Sequence, residues 1–398
     1  DRDFLTIKNR FEHEGFSFLS VTLPSLCDAI DYGLAHGKFD RPTSFKRMKG
    51  GELPAFLQGF LIEVFDKQGR LKDEPSLEHI KCLRELLRLF KKTDLDASHR
   101  EKLEEKTVNK FFETEEILSK VNFDSRKNNL LGLVARYILP NIDSYDVDRI
   151  YPKHGPGGVY EKVFGNSKWK KLQSIYRNAY HPNWFFDPLL TTHCVLPHVV
   201  EDSYNPVSGV ARLICVPKTS TSLRTITVEP LLQQFLQQGL NRHIRENISE
   251  CSVLRRCLQL TDQTQNQKLA LEGSRTGLWA TIDLSSASDL LSIDLVKLVF
   301  QHRPALLEQM MNSRSSFVEY GERHQKLRKY AGMGNATTFP VQSICFAVLC
   351  IAAIHDALGL NPTMESCRRI ANDIRVYGDD IIVKTEYFTS VDAWISSY

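Results

Sequence analysis

The chain has 398 residues, of which 42% are hydrophobic and 25% are charged, with 21 glycines and 16 prolines. These fractions are ordinary for a globular protein and exclude collagen-like, low-complexity and mostly disordered classes. The formal net charge is only +3, so any basic surface for nucleic acid must come from local clustering. The nine cysteines are scattered and show no zinc spacing, which favours buried free thiols in a reducing compartment.

Residues 1–150 predict a mainly helical region that carries no chemical constellation. Apolar residues recur at helical spacing in Leu77–Phe90, which predicts a helix. Residues 100–120 are densely charged, with interspersed Leu, Val and Phe, and this pattern predicts a long exposed helix. The histidines and charged residues of this region are most simply surface groups.

A glycine- and proline-rich stretch and then a basic stretch follow. The sequence KHGPGG at 153–158 predicts a tight loop. Beyond it, Trp169 lies among four lysines, Lys162, Lys168, Lys170 and Lys171. Basic groups neutralise phosphates and aromatic rings stack on bases, so this stretch is a candidate RNA contact. A solvated helix face with a buried tryptophan explains the pattern equally well.

Residues 209–228 alternate apolar and polar side chains around a Ser/Thr-rich centre, which predicts a β-hairpin. The hairpin would display Arg212, Lys218 and Arg224. The pattern ends at Glu229-Pro230, and the glutamine-rich segment Leu231–Ile248 predicts a helix.

Three later segments carry the chemistry. A predicted strand ends near Asp283, although a helix-capping role explains this aspartate as well. Gly332–Phe339 is a loop whose glycines let a ligand approach the backbone, with an ordinary helix start as the alternative. β-Branched residues flank Gly378-Asp379-Asp380, which predicts a tight hairpin, and both aspartates are also common turn residues.

The order of these segments predicts that carboxylates from two adjacent strands meet. Carboxylate oxygens are hard ligands that hold Mg²⁺, and two such ions can activate a 3′-hydroxyl and stabilise a leaving pyrophosphate. Like charges so close repel one another unless cations neutralise them, which favours a metal site over a purely structural role.

Neither a membrane span nor a signal peptide is predicted. The longest apolar run, Ile344–Ile354, is too short to cross a bilayer and predicts a buried helix. The chain begins at Asp1 without Met and stops at Tyr398, soon after the paired aspartates. We therefore expect a fragment that is cut at both ends.

Five motifs occur in the order and spacing of a known family. They are VPKTSTSLRTITVEP, DQTQNQKLALEGS, ATIDLSSASD, GMGNATTF and VYGDD. This set resembles the RNA replicases of the single-stranded RNA bacteriophages, the levivirus group, most strongly between residues 212 and 383. The resemblance implies an RNA-directed RNA polymerase that adds ribonucleotides to an RNA 3′-end by two-metal-ion nucleotidyl transfer.

The resemblance also implies a fold and its parts. The fold class is α+β, a right-hand polymerase fold with an antiparallel palm sheet, helical fingers and a thumb largely missing from this chain. Residues 1–150 would be an N-terminal, mostly helical region. Residues 151–275 would be fingers with a basic nucleotide-binding hairpin, and residues 276–398 would be the palm core.

Functional roles carry over from the family residue by residue. The catalytic ligands of two Mg²⁺ ions, or of Mn²⁺, would be Asp283, Asp379 and Asp380. The triphosphate would be held by Lys218 and Arg224, whose charges can offset charge developing on phosphates. The ribose would be recognised by Asp289, Asn335 and Thr338.

The chain departs from the family pattern at two positions, and the family's partners complete the expectation. Relatives commonly carry a further lysine where this chain has Thr221, and they often carry a glutamate where it has Gln342. The family's lysine motif, the expected proton donor to pyrophosphate, would lie beyond Tyr398. Expected partners are RNA template and product, nucleoside triphosphates and the host elongation factors Tu and Ts, with no membrane. The expected location is the cytoplasm of the infected bacterial host.

Two rival functions use the same residues. A reverse transcriptase-like palm enzyme would share the aspartates and metals, but it would usually place a bulky residue at Asp289 to exclude a 2′-hydroxyl. A catalytically inactive RNA-binding palm scaffold would be signalled by loss of a carboxylate, and Asp283, Asp379 and Asp380 are all present.

Overall fold

The structure is a computed structural model that describes residues 1–93, 97–121, 124–139, 152–177 and 209–398. Helices and strands are mixed, which confirms the α+β class. The chain forms two compact units. Unit 1 comprises Asp1–Asn109 and Cys215–Arg224, and unit 2 comprises Lys110–Ile214 and Thr225–Tyr398. The predicted boundary at residue 150 lies outside the described residues, and the three-part division stays a prediction.

Unit 1 is built from helices around one apolar cluster. Phe18, Leu26, Ile30 and Phe65 are fully buried in that cluster. The helix predicted at Leu77–Phe90 is confirmed as Leu77–Arg88, and the Ser76 hydroxyl caps its first turn. The helical elements are Arg2–Glu14, the π-helical turn Phe18–Thr22, Leu23–His36, Gln58–Leu61, Leu77–Arg88 and the first half of Ala97–Ser119.

The helix Ala97–Ser119 differs from its prediction. It is long, as expected, but it is not exposed all round, because Phe111, Thr114, Glu115 and Leu118 are buried. These positions follow the spacing i, i+3, i+4, i+7 and form one narrow face. The high charge density of the remaining faces hides this stripe in the sequence.

Unit 2 surrounds a second and larger apolar cluster. The helix predicted at Leu231–Ile248 is confirmed as Leu231–Glu250. The described helices of unit 2, after the end of Ala97–Ser119, are Ser125–Ile138, Ser167–Arg177, Leu231–Glu250, Leu254–Cys257, Thr264–Thr276, Ile293–Phe300, Pro304–Ser313, Thr338–Leu358, Met364–Ile370 and Phe388–Ile395. Two 3₁₀ turns are Ala371–Asp373 and Thr385–Tyr387.

Thr338–Leu358, the core helix, runs through this cluster. It contains the apolar run predicted to be buried, and its side chains are buried from Pro340 to His355. By length and composition it could cross a bilayer, but 83% of its apolar window is buried inside the fold. The prediction of a buried helix is confirmed.

Within the described residues, seven strands form two sheets. They are β1 (Val210–Thr219), β2 (Ser222–Val228), β3 (Trp279–Ile282), β4 (Phe317–Tyr320), β5 (Arg323–Lys326), β6 (Ile374–Tyr377) and β7 (Asp380–Lys384). One sheet has the order β2-β1-β4-β5, with β1 parallel to β4. The other has the order β3-β7-β6 and is antiparallel throughout. The hairpins predicted at 209–228 and around Gly378 are confirmed as β1–β2 and β6–β7.

The eight described cysteines are free thiols. Six of them are buried, as predicted, whereas Cys82 is exposed and Cys215 is half-buried. Cys194 lies outside the described residues.

Candidate active site

The antiparallel sheet brings three aspartates to one end of two paired strands. β3 pairs with β7 so that Ile282 faces Ile381. One step further along this register, Asp283 follows β3 directly opposite Asp380, the first residue of β7. Asp379 is the neighbouring residue in the β6–β7 turn, which Tyr377 and Asp380 close as a pair. The placement of all three aspartates on adjacent strands is therefore confirmed.

The turn that carries Asp379 needs the glycine before it. Gly378 has φ +66°, and a two-residue hairpin with glycine at its first position fits a type II′ turn. A Cβ atom at this position would lie 2.6 Å from Cε2 of Phe339. The Gly378 N–H donates to Ser343 Oγ at 3.1 Å. Phe339 and Ser343, in the first turns of the core helix, thus hold the hairpin turn in place.

Electrostatics disfavour the charged form of Asp380. Burial raises the pKa of its carboxyl group, and the negative charges of Asp379 and Asp283 raise it further. The Gln263 amide opposes this shift by donating from Nε2 to Asp380 Oδ2 at 2.6 Å. A cation bound between the strands would remove the repulsion and favour the carboxylate.

The carboxylates are adjacent without forming a closed ligand cage. In the part of the chain that the structure describes, no three His, Cys, Asp or Glu side chains are gathered closely enough to hold one ion. The hydrogen bond from Gln263 occupies one oxygen of Asp380 in this arrangement. The donor set, three carboxylates at the ends of paired strands, still fits a hard divalent cation.

The glycine-containing loop places Asn335 and Thr338 at the start of the core helix. Both side chains are buried, with 5% and 6% of their surface exposed. Asn335 Oδ1 accepts from the N–H and the hydroxyl of Thr337 at 2.8 and 2.7 Å. Asn335 Nδ2 is buried without a hydrogen-bond partner. The Thr338 hydroxyl donates to the Gly332 carbonyl at 3.0 Å, so it is already engaged.

Asp289 is bound to a buried lysine. Lys329 Nζ lies 3.0 Å from Asp289 Oδ1, and the lysine side chain is fully buried. Asp289 keeps 14% of its side-chain surface exposed. The carboxylate predicted to recognise ribose is therefore also part of an internal ion pair.

The two predicted triphosphate-binding residues, Lys218 and Arg224, belong to a different unit from the three aspartates. Both are exposed on the β1–β2 hairpin. They belong to the Cys215–Arg224 segment of unit 1, whereas Asp283, Asp379 and Asp380 belong to unit 2. Their predicted contact with a triphosphate stays a prediction.

The basic stretch at residues 162–171 contains one lysine, Lys168, whose predicted role as an RNA contact is wrong. Lys168 is 2% exposed, and its ammonium group donates to the carbonyls of Gly155 and Gly157 at 2.6 Å each. It stabilises the predicted 153–158 loop and is not an open RNA contact. Lys162, Lys170 and Lys171 are exposed, and RNA binding by them stays a prediction.

Several residues at the site were missed by sequence reasoning. Gln263 lies within the motif DQTQNQKLALEGS but was given no role. Ser343 follows Gln342, the position at which relatives often carry a glutamate. Lys329 and Tyr330 lie just before the glycine-containing loop, separated from it by Ala331. A lysine next to apolar residues is a weak hint of burial, but only the tertiary contacts identify its partners.

Comparison with known proteins gives consistent matches. A family model described as RNA replicase, beta-chain matches residues 171–396, more than half of the chain. The RNA-directed RNA polymerase subunit beta of Qbeta virus (strain MX1) is 35% identical over 187 residues, covering 46% of this chain and 29% of that protein. The RNA-directed RNA polymerase beta chain of Enterobacteria phage fr is 34% identical over 203 residues, covering 50% and 34%.

A third relative extends the match. The RNA-directed RNA polymerase subunit beta of Enterobacteria phage SP is 33% identical over 226 residues, which cover 56% of this chain and 35% of that protein. In each of these three alignments, the matched part is about a third of the relative's length. The matched region contains Asp283, Asp379 and Asp380 together with the elements that position them. The chain belongs to the RNA replicase beta-chain family.

Proposed function

We propose that this chain carries the catalytic centre of an RNA-directed RNA polymerase, which adds ribonucleotides to an RNA 3′-end. The observation that carries the proposal is the meeting of Asp283, Asp379 and Asp380 at one end of two paired strands. Membership of the RNA replicase beta-chain family supports it. The antiparallel β3-β7-β6 sheet, packed on the core helix, would be the palm of a right-hand polymerase fold.

The three aspartates would hold two Mg²⁺ ions, or Mn²⁺. Carboxylate oxygens suit these hard cations. Burial first, and then the charges of Asp379 and Asp283, raise the pKa of Asp380, and a nearby cation would offset both effects. When bound, the ions would supply Lewis-acid activation of the 3′-hydroxyl and neutralise charge on the leaving pyrophosphate. The hydrogen bond from Gln263 would hold Asp380 in place before metal binding. Asp380 would give up this bond when the same oxygen ligates a cation.

The chain's own residues would bind and orient the nucleotide. Asn335 Nδ2 is a buried donor in need of an acceptor, which a ribose hydroxyl supplies. Asp289, with one oxygen engaged by Lys329, would accept from the sugar with its other oxygen. Thr338 would shape the pocket beside them. Lys218 and Arg224 would hold the triphosphate by charge-assisted hydrogen bonds.

The partners follow from this reaction. RNA template and product would run past Lys162, Lys170 and Lys171, whose exposed charges suit phosphates. The family resemblance adds the host elongation factors Tu and Ts as proposed partners. It also sets the reaction in the cytoplasm of an infected bacterium.

Replacement of Asp379 tests the proposal. We expect Asp379→Asn to abolish template-directed incorporation of a labelled ribonucleotide in Mg²⁺ and to weaken Mn²⁺ binding measured by electron paramagnetic resonance. The amide keeps the size of the turn residue but removes a ligand charge. Asp294→Asn is the matched control, because Asp294 is an exposed carboxylate in the first turn of Ile293–Phe300. Undiminished incorporation and Mn²⁺ binding by Asp379→Asn would show that the hairpin is only structural.

A further inference from the structure

A buried polar network lies next to Asp289 and Asn335, two of the residues proposed to recognise the sugar. At its centre are two consecutive residues, Lys329 and Tyr330, both with 0% of their surface exposed. Burial of an ammonium group and a phenol is unfavourable unless each finds hydrogen-bond partners. The partners that they find lead to Asp289 on one side and to Asn335 on the other.

Lys329 fixes one oxygen of Asp289. Its ammonium group lies 3.0 Å from Asp289 Oδ1, 2.9 Å from Thr114 Oγ1 and 3.5 Å from Glu115 Oε1. It also lies 3.6 Å from the ring centre of Phe111. Glu115 accepts the backbone N–H of Arg328 as well. Since Glu115 is 1% exposed and Asp289 is 14% exposed, Asp289 is the partner that still reaches solvent.

Tyr330 fixes the amide orientation of Asn335 through Thr337. The Tyr330 hydroxyl lies 2.8 Å from Thr337 Oγ1, which lies 2.7 Å from Asn335 Oδ1. Asn335 Oδ1 can only accept, so the single proton of Thr337 points to it and the tyrosine must donate to Thr337. This relay holds the amide oxygen inward and leaves Nδ2 as the group without a partner.

The backbone of the Lys329-Tyr330 pair is itself held rigidly. Arg314, which is 7% exposed, donates to the Tyr330 carbonyl from Nε at 2.6 Å and to the Lys329 carbonyl from Nη2 at 3.1 Å. The Tyr330 N–H donates to the Leu291 carbonyl at 2.7 Å. These bonds fix the backbone from which both side chains project.

We propose that Lys329 and Tyr330 are positioning residues for ribonucleotide selection. Lys329 presents the second oxygen of Asp289, and Tyr330 presents Asn335 Nδ2, so that a donor and an acceptor face a ribose hydroxyl. The inference rests on the proposed function and assigns no substrate contact to either residue. A deoxyribose lacks the 2′-hydroxyl that both groups would engage, so misplacement of either group affects ribonucleotides selectively.

Tyr330→Phe tests this relay, because it removes one hydroxyl and keeps the buried ring. We expect the affinity for ATP, measured by calorimetry with Mg²⁺ on the whole chain, to fall about tenfold, the effect of one hydrogen bond on Kd. The affinity for dATP should stay unchanged, so the preference for ribose falls by the same factor. Tyr137→Phe is the control, because Tyr137 is 37% exposed on the helix Ser125–Ile138.

A second variant acts on the other branch. Lys329→Met alone would leave two carboxylates facing each other, so we pair it with Glu115→Gln, and we expect the same selective loss of ATP affinity. Retention of the full ribose preference by both variants would overturn the inference, as would an equal loss for ATP and dATP. A wild-type chain that binds neither nucleotide would contradict the proposed function as well.

An independent feature is an arginine-lined pocket of about 470 Å³ before β6. Its lining residues are Ser252, Arg255, Arg256, Glu365, Arg368, Arg369 and Asn372. Four arginines and a single glutamate thus contribute to the lining. Within the described part of the chain, none of these arginines forms an ion pair.

Neutral partners hold two of the arginines in place. Arg368 Nε donates to Ser252 Oγ at 3.0 Å, and Arg256 Nε donates to the Ser252 carbonyl at 3.0 Å. Arg256 also reaches Asn372 Oδ1 at 3.4 Å. These contacts orient the guanidinium groups without neutralising them, so an anion that enters the pocket gains their full charge. Planar guanidinium groups match phosphate oxygens in bidentate geometry.

We infer that this pocket binds the phosphate backbone of single-stranded RNA. Asn372 lies at the end of β6 opposite the catalytic hairpin, and the four residues of β6 span about 13 Å. An RNA strand that passes the carboxylates is long enough to reach the pocket. The lining has four arginines and one glutamate, a net charge of +3, which equals the net charge of the whole chain and makes this a local feature.

The test is binding of a labelled RNA oligonucleotide, measured by fluorescence anisotropy at several salt concentrations. We expect Arg255→Gln/Arg369→Gln to weaken binding and to lower the log–log salt slope by about 1.4, since each lost phosphate contact removes ~0.7 for single strands. The control Lys81→Gln/Lys102→Gln removes the same charge from exposed positions elsewhere. The inference would be overturned if both pairs of substitutions changed RNA affinity equally, or if neither pair changed it. Preferential binding of polyglutamate over RNA at the pocket would assign it to an acidic protein instead.

Discussion

Asp380 occupies a position that disfavours its own charge. Burial is the largest cause of its raised pKa, and Asp379 and Asp283 add to it. A carboxyl group whose pKa is higher in the folded state binds its proton more tightly there, so folding stability falls as pH rises through the interval above the unfolded pKa. The proposed catalytic site thus holds a functional group at the expense of stability.

Asp380→Asn removes this unfavourable charge. We expect the variant to have a higher melting temperature than the wild type at pH 7, and the gain to disappear at about pH 3, below the unfolded pKa, where the wild-type carboxyl is protonated in both states. Scanning fluorimetry at the two pH values measures it. Asp294→Asn should lower the melting temperature, because the negative charge of Asp294 stabilises the N-terminus of its helix. A loss of stability by Asp380→Asn of equal size at both pH values would contradict this interpretation.

Gly378 joins the turn that carries Asp379 to the core helix. We expect Gly378→Ala to destabilise unit 2 by more than the ~1–2 kcal/mol of a left-handed backbone, because the new Cβ would meet Phe339. Gly359→Ala isolates the backbone effect, since Gly359 has φ +61° and no neighbour of its Cβ within 4 Å. Urea denaturation measures both variants. Equal losses would mean that Phe339 moves aside without penalty.

At the scale of elements, sequence patterns predicted what local chemistry determines. Periodicity located the helix Leu77–Arg88 and both hairpins, since these depend on near neighbours. Burial of Glu115 and Lys329 was missed, because the bonds that hold them join residues distant in sequence: 213 residues separate Glu115 from Arg328, and 215 and 40 residues separate Lys329 from Thr114 and Asp289. Lys168 was misplaced for a related reason: a lysine that binds loop carbonyls looks the same in sequence as one that binds phosphate.

The helix Ser167–Arg177 carries lysines of both kinds, the buried Lys168 and the exposed Lys170 and Lys171. We expect Lys168→Gln to lower stability by about 1.5–3 kcal/mol, because two carbonyls lose a charged donor. Lys170→Gln should leave stability unchanged, because Lys170 is exposed, and should weaken RNA binding with a salt slope lower by ~0.7. Thermal unfolding and a salt titration of RNA affinity separate the two roles. An unchanged melting temperature for Lys168→Gln would contradict the structural role.

At the scale of the whole molecule, the residues predicted to bind the sugar and those predicted to bind the triphosphate belong to different units. The carboxylates, Asn335 and Asp289 belong to unit 2, whereas Lys218 and Arg224 belong to the short segment of chain that returns to unit 1. The alternating pattern of the β1–β2 hairpin runs without a break, so it gave no sign that Cys215–Arg224 belongs to unit 1. The two contributions act on different parts of a nucleotide, the sugar and the triphosphate, and they are separable by experiment.

Arg224→Ala separates them. One charge-assisted contact with phosphate contributes about 1.5–3 kcal/mol, so we expect the Kd for ATP to rise about ten- to a hundredfold. The affinity for adenosine, which lacks phosphates, should not change, since the sugar-recognising residues of unit 2 remain intact. Arg70→Ala is the control, because Arg70 is an exposed arginine of the same unit. Calorimetry on the whole chain with Mg²⁺ measures all four affinities. An unchanged Kd for ATP would make Arg224 a surface group and restrict the nucleotide site to unit 2, whereas a parallel loss of adenosine affinity would show that the substitution disturbs the sugar site and not a phosphate contact.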